Sequence, residues 1–407
     1  MADTEKTRWG IVALCVAAGL VAAAHVGKAP PALPALRAEL GLDLVLAGWV
    51  VSIFGFTGMA FGIIAGSLAD RVGHRRLLLI GLGVLAAGSA VGGFTNSGAI
   101  LLASRFFEGL GLLSVGVSAP AMIAAAAPGR NRRLALGIWG SFMPAGMAAM
   151  MLISPLFLST VGWRGLWFAA AILSVVWIVV MRRGTPAAPA PSDAEASHSL
   201  IHNVVSTVSR PGPWLMSICF ALYTIQWVSL MVWLPTFLIE QRGTGTGAAA
   251  AMTALVVAVN VAGNVGAGWM LRHNAPRWLL LAVAGATMGL ASLGIFSSEV
   301  PDGTRYLLCL VFSSVGGMLP TSLLSGVPVF APSPRQYATG NGFLTQGANV
   351  GQVIGPPAVA TLVAATGVWE SASWLMAGTA GAIVVFALAI GAVERRLPTA
   401  EPAAPPR

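Results

Sequence analysis

Long apolar stretches without a charged residue recur along the whole chain. Twelve such windows reach 17 residues or more, and they are 9–27, 44–69, 77–104, 109–129, 134–163, 165–181, 211–239, 243–271, 278–298, 306–334, 336–369 and 371–393. Each can cross about 30 Å of hydrocarbon as an α-helix. Runs such as 172–180 do not alternate between apolar and polar residues, as the strands of a membrane barrel would. The pattern therefore predicts an all-α integral membrane protein with twelve transmembrane helices.

The composition excludes a water-soluble protein of this size. Hydrophobic residues make up 56% of the 407 positions and charged residues only 9%, against roughly a quarter charged in an average soluble domain. The three cysteines, Cys15, Cys219 and Cys309, all lie in apolar windows and show no disulfide or metal-ligand spacing. The chain also has no phosphate-binding loop and no pattern of a catalytic triad. We therefore expect no metal, no cofactor and no enzymatic activity.

The basic residues are distributed unevenly between alternate loops. With the N-terminus inside, the cytoplasmic segments hold 17 of the 23 Lys and Arg residues, and Arg105 is expected to lie within the membrane. The opposite loops hold the other five, Lys28, Arg37, Arg164, Arg242 and Arg305. The positive-inside rule therefore predicts a multi-pass protein of the bacterial inner membrane with both termini in the cytoplasm. No basic patch remains for a nucleic acid, and the expected partners are the lipid bilayer and a small molecule.

A segment rich in Pro, Ala and Ser divides the twelve windows into six plus six. It predicts a cytoplasmic linker. The predicted organisation is a first bundle at 1–183, the linker at 184–210, a second bundle at 211–393 and a flexible tail at 394–407. The two halves echo each other at an offset of 202 residues, where 66–75 aligns with 268–277 and Pro155 falls on Pro357. Such a repeat is typical of transporters built from two parallel halves.

The sharpest motif lies between the second and third windows. Its residues are Gly66, Asp70, Arg71, Gly73 and Arg75. This spacing resembles the signature of the major facilitator superfamily. The resemblance implies that the glycines allow close helix contact and a turn, that the acid caps or pairs across the interface, and that the arginines hold a cytoplasmic gate. In the second half Arg272 stands where the acid would be, so a symmetric second latch is not expected.

The resemblance covers about residues 9–393 and implies two six-helix bundles, the major facilitator fold. The bundles would rock around a site at the membrane midplane and open alternately to each side. We expect a monomer that transports a small molecule. The subfamily stays open between a loose likeness to cyanate and nitroimidazole permeases and one to proton-coupled efflux transporters.

Two charged residues stand between the third and fourth windows, within the predicted fourth span. Arg105 and Glu108 are three apart, which puts them on one helix face, and they resemble the family's arginine-containing fourth-helix motif. Charges inside a membrane are costly, so this pair is expected to face the protein interior and to couple transport to protons. The alternative is a structural ion pair near the helix end, where Arg105 reaches the interface with its long side chain.

The fifth window partly resembles the Gly- and Pro-rich motif of the superfamily's antiporters. Its usual Gly-Pro pair is split here, so it is a weak pointer to export. Pro144 is expected to kink this helix. Trp139 either lines a cavity or packs, with nothing in the sequence to separate the two.

Uncharged amides cluster in the second half. A stripe at helical spacing in the eleventh window consists of Asn341, Thr345, Asn349 and Gln352, with Gln346 beside it, and Pro356-Pro357 is expected to break that helix. Asn260, Asn264 and Gln226 lie in the eighth and seventh windows. Such amides either contact the substrate or form hydrogen bonds between helices. We predict substrate contact for the stripe and leave both readings open for the others.

His25 and Lys28 stand at the end of the first window. They either influence the access of an anion or mark the membrane boundary, and we favour the boundary.

These features predict a secondary active transporter working by alternating access. The first hypothesis is proton-coupled efflux of a small organic compound, such as a drug or a secreted metabolite like a siderophore. The alternative is proton-coupled uptake of a small anion or organic acid, which the net basic character suggests. A non-transporting membrane sensor is a minor alternative. An unpaired arginine in the binding cavity would favour the anion, and a pocket of Trp, Phe and Met would favour efflux.

Overall fold

The computed structural model describes residues 7–127, 131–186, 205–330 and 337–396, and within these ranges the chain is helical without a β-strand. The helices of the first half are α1 (Trp9–Gly27), α2 (Ala29–Leu40), α3 (Leu44–Val72), α4 (His74–Phe94), α5 (Gly98–Ala126), α6 (Asn131–Gly140), α7 (Phe142–Thr160) and α8 (Gly162–Gly184). Those of the second half are α9 (Pro211–Arg242), α10 (Thr246–Arg272), α11 (Arg277–Ile295), α12 (Asp302–Gly316), α13 (Met318–Leu324), α14 (Val327–Phe330), α15 (Tyr337–Thr366) and α16 (Ser371–Glu394). The predicted all-α fold is confirmed.

Twelve segments of the described chain are long and apolar enough to cross a membrane, as the sequence predicts. The first span, Trp9–Leu40, joins α1 and α2, and the tenth, Asp302–Phe330, joins α12 to α14. The other ten spans lie within one helix each, namely α3, α4, α5, α7, α8, α9, α10, α11, α15 and α16. Because the number of spans is even, the first and last spans have their outer ends on the same side. We call this side the terminal end and the other side the distal end.

The helices pack alike in the two halves. In the first half α4 packs against α5 and α8, and in the second half its counterpart α11 packs against α12 and α16. The halves meet mainly through α3 with α15 and through α7 with α10. These contacts join the second span to the eleventh and the fifth to the eighth, as a twofold relation between two repeats requires.

Two glycines show the repeat at the level of the backbone. Gly41 ends α2 with φ 63°, and Gly243 ends α9 with φ 64°. The two positions are 202 residues apart, which is the offset found in the sequence. Both helices end in a left-handed residue, a conformation that glycine adopts without steric cost. The first and seventh spans therefore end in the same way at the distal end.

The first span is longer than predicted. The window 9–27 ends before Lys28, but the structure continues through α2 to Leu40. Pro30 and Pro31 start α2 at positions where a helix leaves its N–H groups free, so they do not stop the span. Lys28 therefore lies in the middle of the first span, and its predicted place in a distal loop is wrong.

The eleventh span does not break at its prolines. α15 runs through Pro356 and Pro357, which contradicts the predicted break. A proline leaves a backbone carbonyl of its own helix without a hydrogen bond, and inside a membrane no water is available to bind it. Neighbouring helices must therefore supply the missing hydrogen bonds. Trp233 of α9 contributes by donating its indole N–H to Pro356 O at 3.0 Å. Pro155, the repeat counterpart of Pro357, also lies inside its helix, α7.

The turn between the second and third spans is a single residue. α3 ends at Val72 and α4 begins at His74, so only Gly73 separates them, with φ 91°. Asp70 and Arg71 therefore belong to the last turn of α3 rather than to a loop. The side chains of Asp70 and Arg71 lie outside the described part of the structure, and so do the surroundings of Gly66. Most of the predicted linker, 187–204, and the tail from 397 onward also lie outside it, and the domain boundaries stay predictions.

Candidate functional site: a buried charged cluster

Four ionisable side chains from two spans meet inside the first half. His25 lies in the last turn of α1 and Lys28 directly follows that helix, while Arg105 and Glu108 lie on α5. Each pair is three residues apart, a spacing that puts both members on one face of a helix. All four side chains are fully buried, with no exposed surface. We call these four residues the charged cluster.

Glu108 is the one acid of the charged cluster and contacts the other three members. Lys28 Nζ donates to Oε1 at 2.6 Å, and Arg105 donates to Oε2. His25 Nδ1 lies 3.3 Å from Oε1. Two cationic side chains therefore share one carboxylate, and with both of them protonated the cluster carries an excess of one positive charge while His25 is neutral.

Lys28 is held by groups from two further helices, α4 and α8. Its ammonium donates to Ser89 Oγ of α4 at 2.6 Å, and Ser89 in turn donates to Trp167 O at 2.7 Å. The ammonium also lies 4.5 Å from the centre of the Trp167 ring. A buried charge is tolerated only when it is paired and hydrogen-bonded. Ser89 and Trp167 supply this environment, and no sequence pattern distinguishes either residue from its neighbours.

Arg105 is bound on its other side by backbone carbonyls. Its Nε donates to Val50 O at 2.9 Å, and its NH1 donates to His25 O at 2.7 Å. The guanidinium lies 4.0 Å from the centre of the Phe54 ring. Its NH2 has no hydrogen-bond partner. Since Arg105 is fully buried, the alternative in which it reaches the membrane interface is wrong.

The hydrogen bonds of His25 define where a proton can be accepted. Ser174 Oγ donates to Ala170 O at 3.1 Å, so it accepts from His25 Nε2 at 2.8 Å. In the neutral ring Nδ1 is then an acceptor, and it lies 3.3 Å from Lys28 Nζ. A proton added at Nδ1 would face the Glu108 carboxylate instead. Protonation of His25 would therefore change the partner of Nδ1 from the Lys28 ammonium to the Glu108 carboxylate.

The sequence pattern places His25 and Lys28 at the membrane boundary because each apolar window ends at a charged residue. The eight residues after Lys28, 29–36, are nevertheless uncharged again. A charged residue between two such stretches is a better candidate for the membrane interior than for its boundary. The boundary reading of these two residues is wrong.

The second half contains a neutral hydrogen-bond network. Asn260 donates to Tyr223 OH at 3.1 Å and to Ser313 O at 2.9 Å, which ties α10 to α9 and α12. Asn264 donates to Asn260 Oδ1 at 2.9 Å and accepts from Thr321 Oγ1 at the same distance. These bonds join helices and support the packing reading for both asparagines. We call these five residues the amide network.

Gln226, Trp139 and Pro144 occupy separate places. Gln226 is fully buried, and within the described part of the chain neither atom of its amide has a hydrogen-bond partner. Trp139 is stacked on Phe142 with 4.2 Å between ring centres and packs, with 8% of its surface exposed. Pro144 lies in the first turn of α7, just after the chain leaves α6. Its missing N–H accounts for the helix break at Ser141, so the expected distortion occurs three residues before the proline.

The halves are in contact toward the distal end through α3 and α15. Three glycines of α3 face this contact, and their partners are Pro356 for Gly48, Gln352 for Gly55 and Asn349 for Gly58. A Cβ atom at Gly58 would lie 2.5 Å from Asn349 Nδ2, so the fit depends on glycine. Small residues allow such close helix contact in membranes. We call this contact the α3–α15 seam.

An ion pair between the halves lies beyond the seam, at the distal end. Arg37 NH1 of α2 lies 2.6 Å from Glu240 Oε1 of α9. Both side chains are partly exposed, at 26% and 37%. The distal end is therefore held closed by the seam and by this pair.

A cavity of about 290 Å³ lies between the halves on the terminal side of the seam. Its lining consists of Met59, Trp214, Ser217, Ile218, Ala221, Phe343, Gln346, Gly347 and Val350. Gln346, which lies beside the predicted stripe, lines this cavity, whereas the four stripe residues are not part of its lining. Asn349 and Gln352 are in the seam, and Asn341 is exposed.

Arg75 of the gate motif has a counterpart in the second half. Arg75 donates to Thr185 Oγ1 at 2.9 Å and to Arg182 O at 3.0 Å, which ties the start of α4 to the end of α8. Its repeat partner Arg277 donates to Glu394 at the end of α16 and to Ser322 O at 2.9 Å. The two arrangements differ, because an acid of the twelfth span binds Arg277 whereas a hydroxyl and a carbonyl bind Arg75. The expectation that the second half has no symmetric latch stays a prediction.

Within the described ranges, no group of three His, Cys, Asp or Glu side chains is placed to hold a metal ion. The charged cluster is suited instead to exchanging protons and to attracting an anion.

Comparisons with known proteins agree on one family. The sequence model of the Major Facilitator Superfamily matches residues 12–335. The putative niacin/nicotinamide transporter NiaP of Bacillus subtilis (strain 168) is 26% identical over 344 residues, covering 82% of this chain and 83% of that protein. The cephamycin export protein CmcT of Amycolatopsis lactamdurans is 27% identical, covering 99% of this chain and 96% of its own length.

A solved structure shows the same fold. It is a bacterial homolog of the human lysosomal transporter Spinster in an inward-facing, unoccupied conformation. The TM-score is 0.79 with 15% sequence identity, over 96% of this chain and 97% of that one. At this identity the likeness concerns the fold alone.

Proposed function

The chain belongs to the major facilitator superfamily of membrane transporters, and we propose that it couples the movement of protons to that of a small organic anion. The family makes the chain a multi-pass membrane transporter of a small molecule rather than an enzyme. The coupling, the substrate class and the direction are our proposal. The observation that carries it is the contact of Glu108 with two buried cations, Lys28 and Arg105.

Charge competition gives the coupling its physical basis. An anion that approaches Lys28 and Arg105 competes with Glu108 for the same positive charges. A buried carboxylate that loses its cations takes up a proton, because burial disfavours its charged form. Binding of the anion and binding of the proton therefore strengthen each other, and by linkage the effect is reciprocal. This favours symport, with His25 as the relay next to Glu108.

The position of the cavity supports alternating access. The distal end is closed by the α3–α15 seam, while the cavity of about 290 Å³ lies toward the terminal end. With both termini in the cytoplasm, as the basic residues predict, this is an inward-facing arrangement. Inward proton movement would then drive uptake of the anion. One relative is named as a putative niacin/nicotinamide transporter, and niacin is a small organic acid.

Export of a larger organic compound is the second candidate. Two observations favour it: the cavity is lined by Met59, Trp214 and Phe343, and one relative with full coverage is a cephamycin export protein. For export, substrate and proton would compete for binding to the transporter. The Gly- and Pro-rich motif of the fifth span would then belong to an antiporter, as its resemblance implies.

The decisive experiment uses the purified chain in liposomes that contain a pH-sensitive dye. A panel of organic acids and larger neutral compounds is added under an imposed proton gradient. Symport predicts acidification of the lumen when an acid and protons enter together, and loss of that signal after collapse of the gradient. Movement of protons opposite to the compound would support export. Substrate uptake that is indifferent to the gradient would overturn the coupling proposal.

A further inference from the structure

A second pair of cations shares one acid, far from the charged cluster. Arg242 ends α9 and Arg305 lies in the first turn of α12, so both are at the distal end of the second half. Arg305 donates to Asp302 Oδ1, and Arg242 Nε lies 3.5 Å from the same oxygen. Asp302 is 70% exposed, so water weakens its hold on both arginines.

Arg305 is almost completely buried, with 3% of its surface exposed. One side of its guanidinium is bound, since NH2 donates to Ser297 O and to Val300 O, the latter at 2.8 Å. Its Nε is buried and has no hydrogen-bond partner among the residues that the structure describes. A buried charged donor without an acceptor is costly, and it indicates a missing partner.

Arg242 is also incompletely paired. Its Nε is buried without a hydrogen bond, since 3.5 Å from Asp302 is too long for one. Both guanidinium groups lie near the same ring, at 5.7 Å and 5.8 Å from the centre of Phe237. Two like charges are therefore held close together with one exposed acid between them.

Other acids nearby have partners of their own. Glu240 is bound to Arg37 of the first half at 2.6 Å. Glu370 accepts from the backbone N–H of Ser298 at 2.8 Å, and hydrogen bonds from Ser298 lower the pKa of this exposed carboxyl. Neither acid is in contact with Arg242 or Arg305.

A small cavity lies against the two arginines. Its volume is about 60 Å³, and its lining includes both arginines and Asp302. Leu234, Leu238 and Met252 also line it. The cavity thus combines cationic with apolar lining and has room for one small group.

We propose that this cavity binds an oxyanion that carries an apolar tail. The oxyanion would satisfy the unpaired Nε groups of Arg242 and Arg305, and the tail would lie against Leu234 and Leu238. Guanidinium groups match carboxylates and phosphates in geometry, so either head group has the required chemistry. The ligand is a free organic acid at the distal mouth of the transporter or the phosphate of a membrane lipid. This site is separate from the charged cluster, and its existence does not depend on the proposed coupling.

The test measures binding of acetate to the full chain in detergent by titration calorimetry, against chloride at equal ionic strength. For the wild type we expect saturable binding. Arg242→Gln should weaken it by about tenfold, because a charged donor is lost. Asp302→Asn should strengthen it, because the competing carboxylate is removed. The matched control is Arg164→Gln, at the distal end of the first half, where the arginine is paired with Glu39, and it should leave binding unchanged.

A second arm separates the two sources of the oxyanion. Native mass spectrometry counts the phospholipids that the wild type and Arg242→Gln retain from bilayers of phosphatidylglycerol. One lipid fewer on the variant supports the lipid phosphate, and acetate binding that depends on Arg242 supports the free acid. Equal acetate binding and equal lipid retention in both proteins would overturn the proposal. Weaker acetate binding by Asp302→Asn would also contradict it, whatever the folding of the arginine variant.

Discussion

His25 and Trp227 stand 202 residues apart, at equivalent places in the first and seventh spans. Each reaches toward the fourth span of its own half. His25 Nδ1 lies 3.3 Å from Glu108, whereas the indole N–H of Trp227 donates to Ser313 Oγ at 3.0 Å. The two repeats therefore keep a contact between the same spans and change its chemistry from ionisable to neutral.

The same division extends through both interiors. The charged cluster holds three ionised groups and a histidine without exposure, while the amide network consists of Asn, Tyr, Ser and Thr groups. A neutral network keeps its hydrogen bonds whatever the proton concentration. The charged cluster, by contrast, contains groups whose charge a proton can change. The comparison teaches that one repeat is suited to coupling, and the other to a fixed framework.

The largest effect should follow from removing the shared carboxylate. Glu108→Gln leaves Lys28 and Arg105 buried without a counter-charge, and breaking such a pair costs about 3–5 kcal/mol. We expect a lower free energy of unfolding in a detergent titration and loss of proton-coupled uptake in liposomes.

The double variant Glu108→Gln/Lys28→Met is the control for this prediction. It removes one cation together with the acid, so much of the lost stability should return while proton coupling stays absent. A Glu108→Gln protein that still moves protons with its substrate would show that charge changes are not confined to this cluster.

Much of the fold was predictable from sequence, because span number depends on apolar length alone. The contact of Arg105 and Glu108 was also predictable from their spacing. Lys28 and His25 were missed because their burial depends on α2 continuing the span after a charge. The acid partner of Arg277 was missed because Glu394 is 117 residues away. Spacing along one helix reveals local pairs, whereas partners from distant helices require the packed structure.

A substitution in the α3–α15 seam can test whether the two halves, whose interiors differ, move together. The first half contributes bare glycines here and the second half contributes amide side chains. Gly58→Ala would place Cβ 2.5 Å from Asn349 Nδ2, and overpacking of this kind costs about 1–3 kcal/mol. The closed distal end should be destabilised, so that a cysteine reagent applied from the distal side labels more quickly a cysteine at Ser52, a buried position of α3 between Gly48 and Gly55.

Gly62→Ala is the matched control for the seam. It lies one turn further along α3, and nothing lies within 4 Å of its Cβ position. Equal labelling in both variants would mean that the seam does not control distal opening.

A substitution of Gln226 tests the interpretation that the second half is a fixed framework. Its buried amide has no partner in the described structure, so Gln226→Leu should raise the free energy of unfolding by about 1 kcal/mol. Uptake should be unchanged if the amide only packs. A stable variant with impaired uptake would assign Gln226 to the substrate path, and the second half would then be more than a framework.

The smallest effect is expected in the amide network. Asn260→Leu removes the hydrogen bonds to Tyr223 OH and Ser313 O, and such bonds between membrane helices contribute about 0.6 kcal/mol on average. We expect a slightly lower free energy of unfolding and an unchanged ratio of protons to substrate in liposomes. Ser154→Ala serves as the reference, because its hydroxyl bonds within its own helix, to Met150 O at 2.7 Å. If Asn260→Leu alters the proton ratio while Ser154→Ala does not, coupling extends into the neutral half, because only a group linked to the proton step can change that ratio.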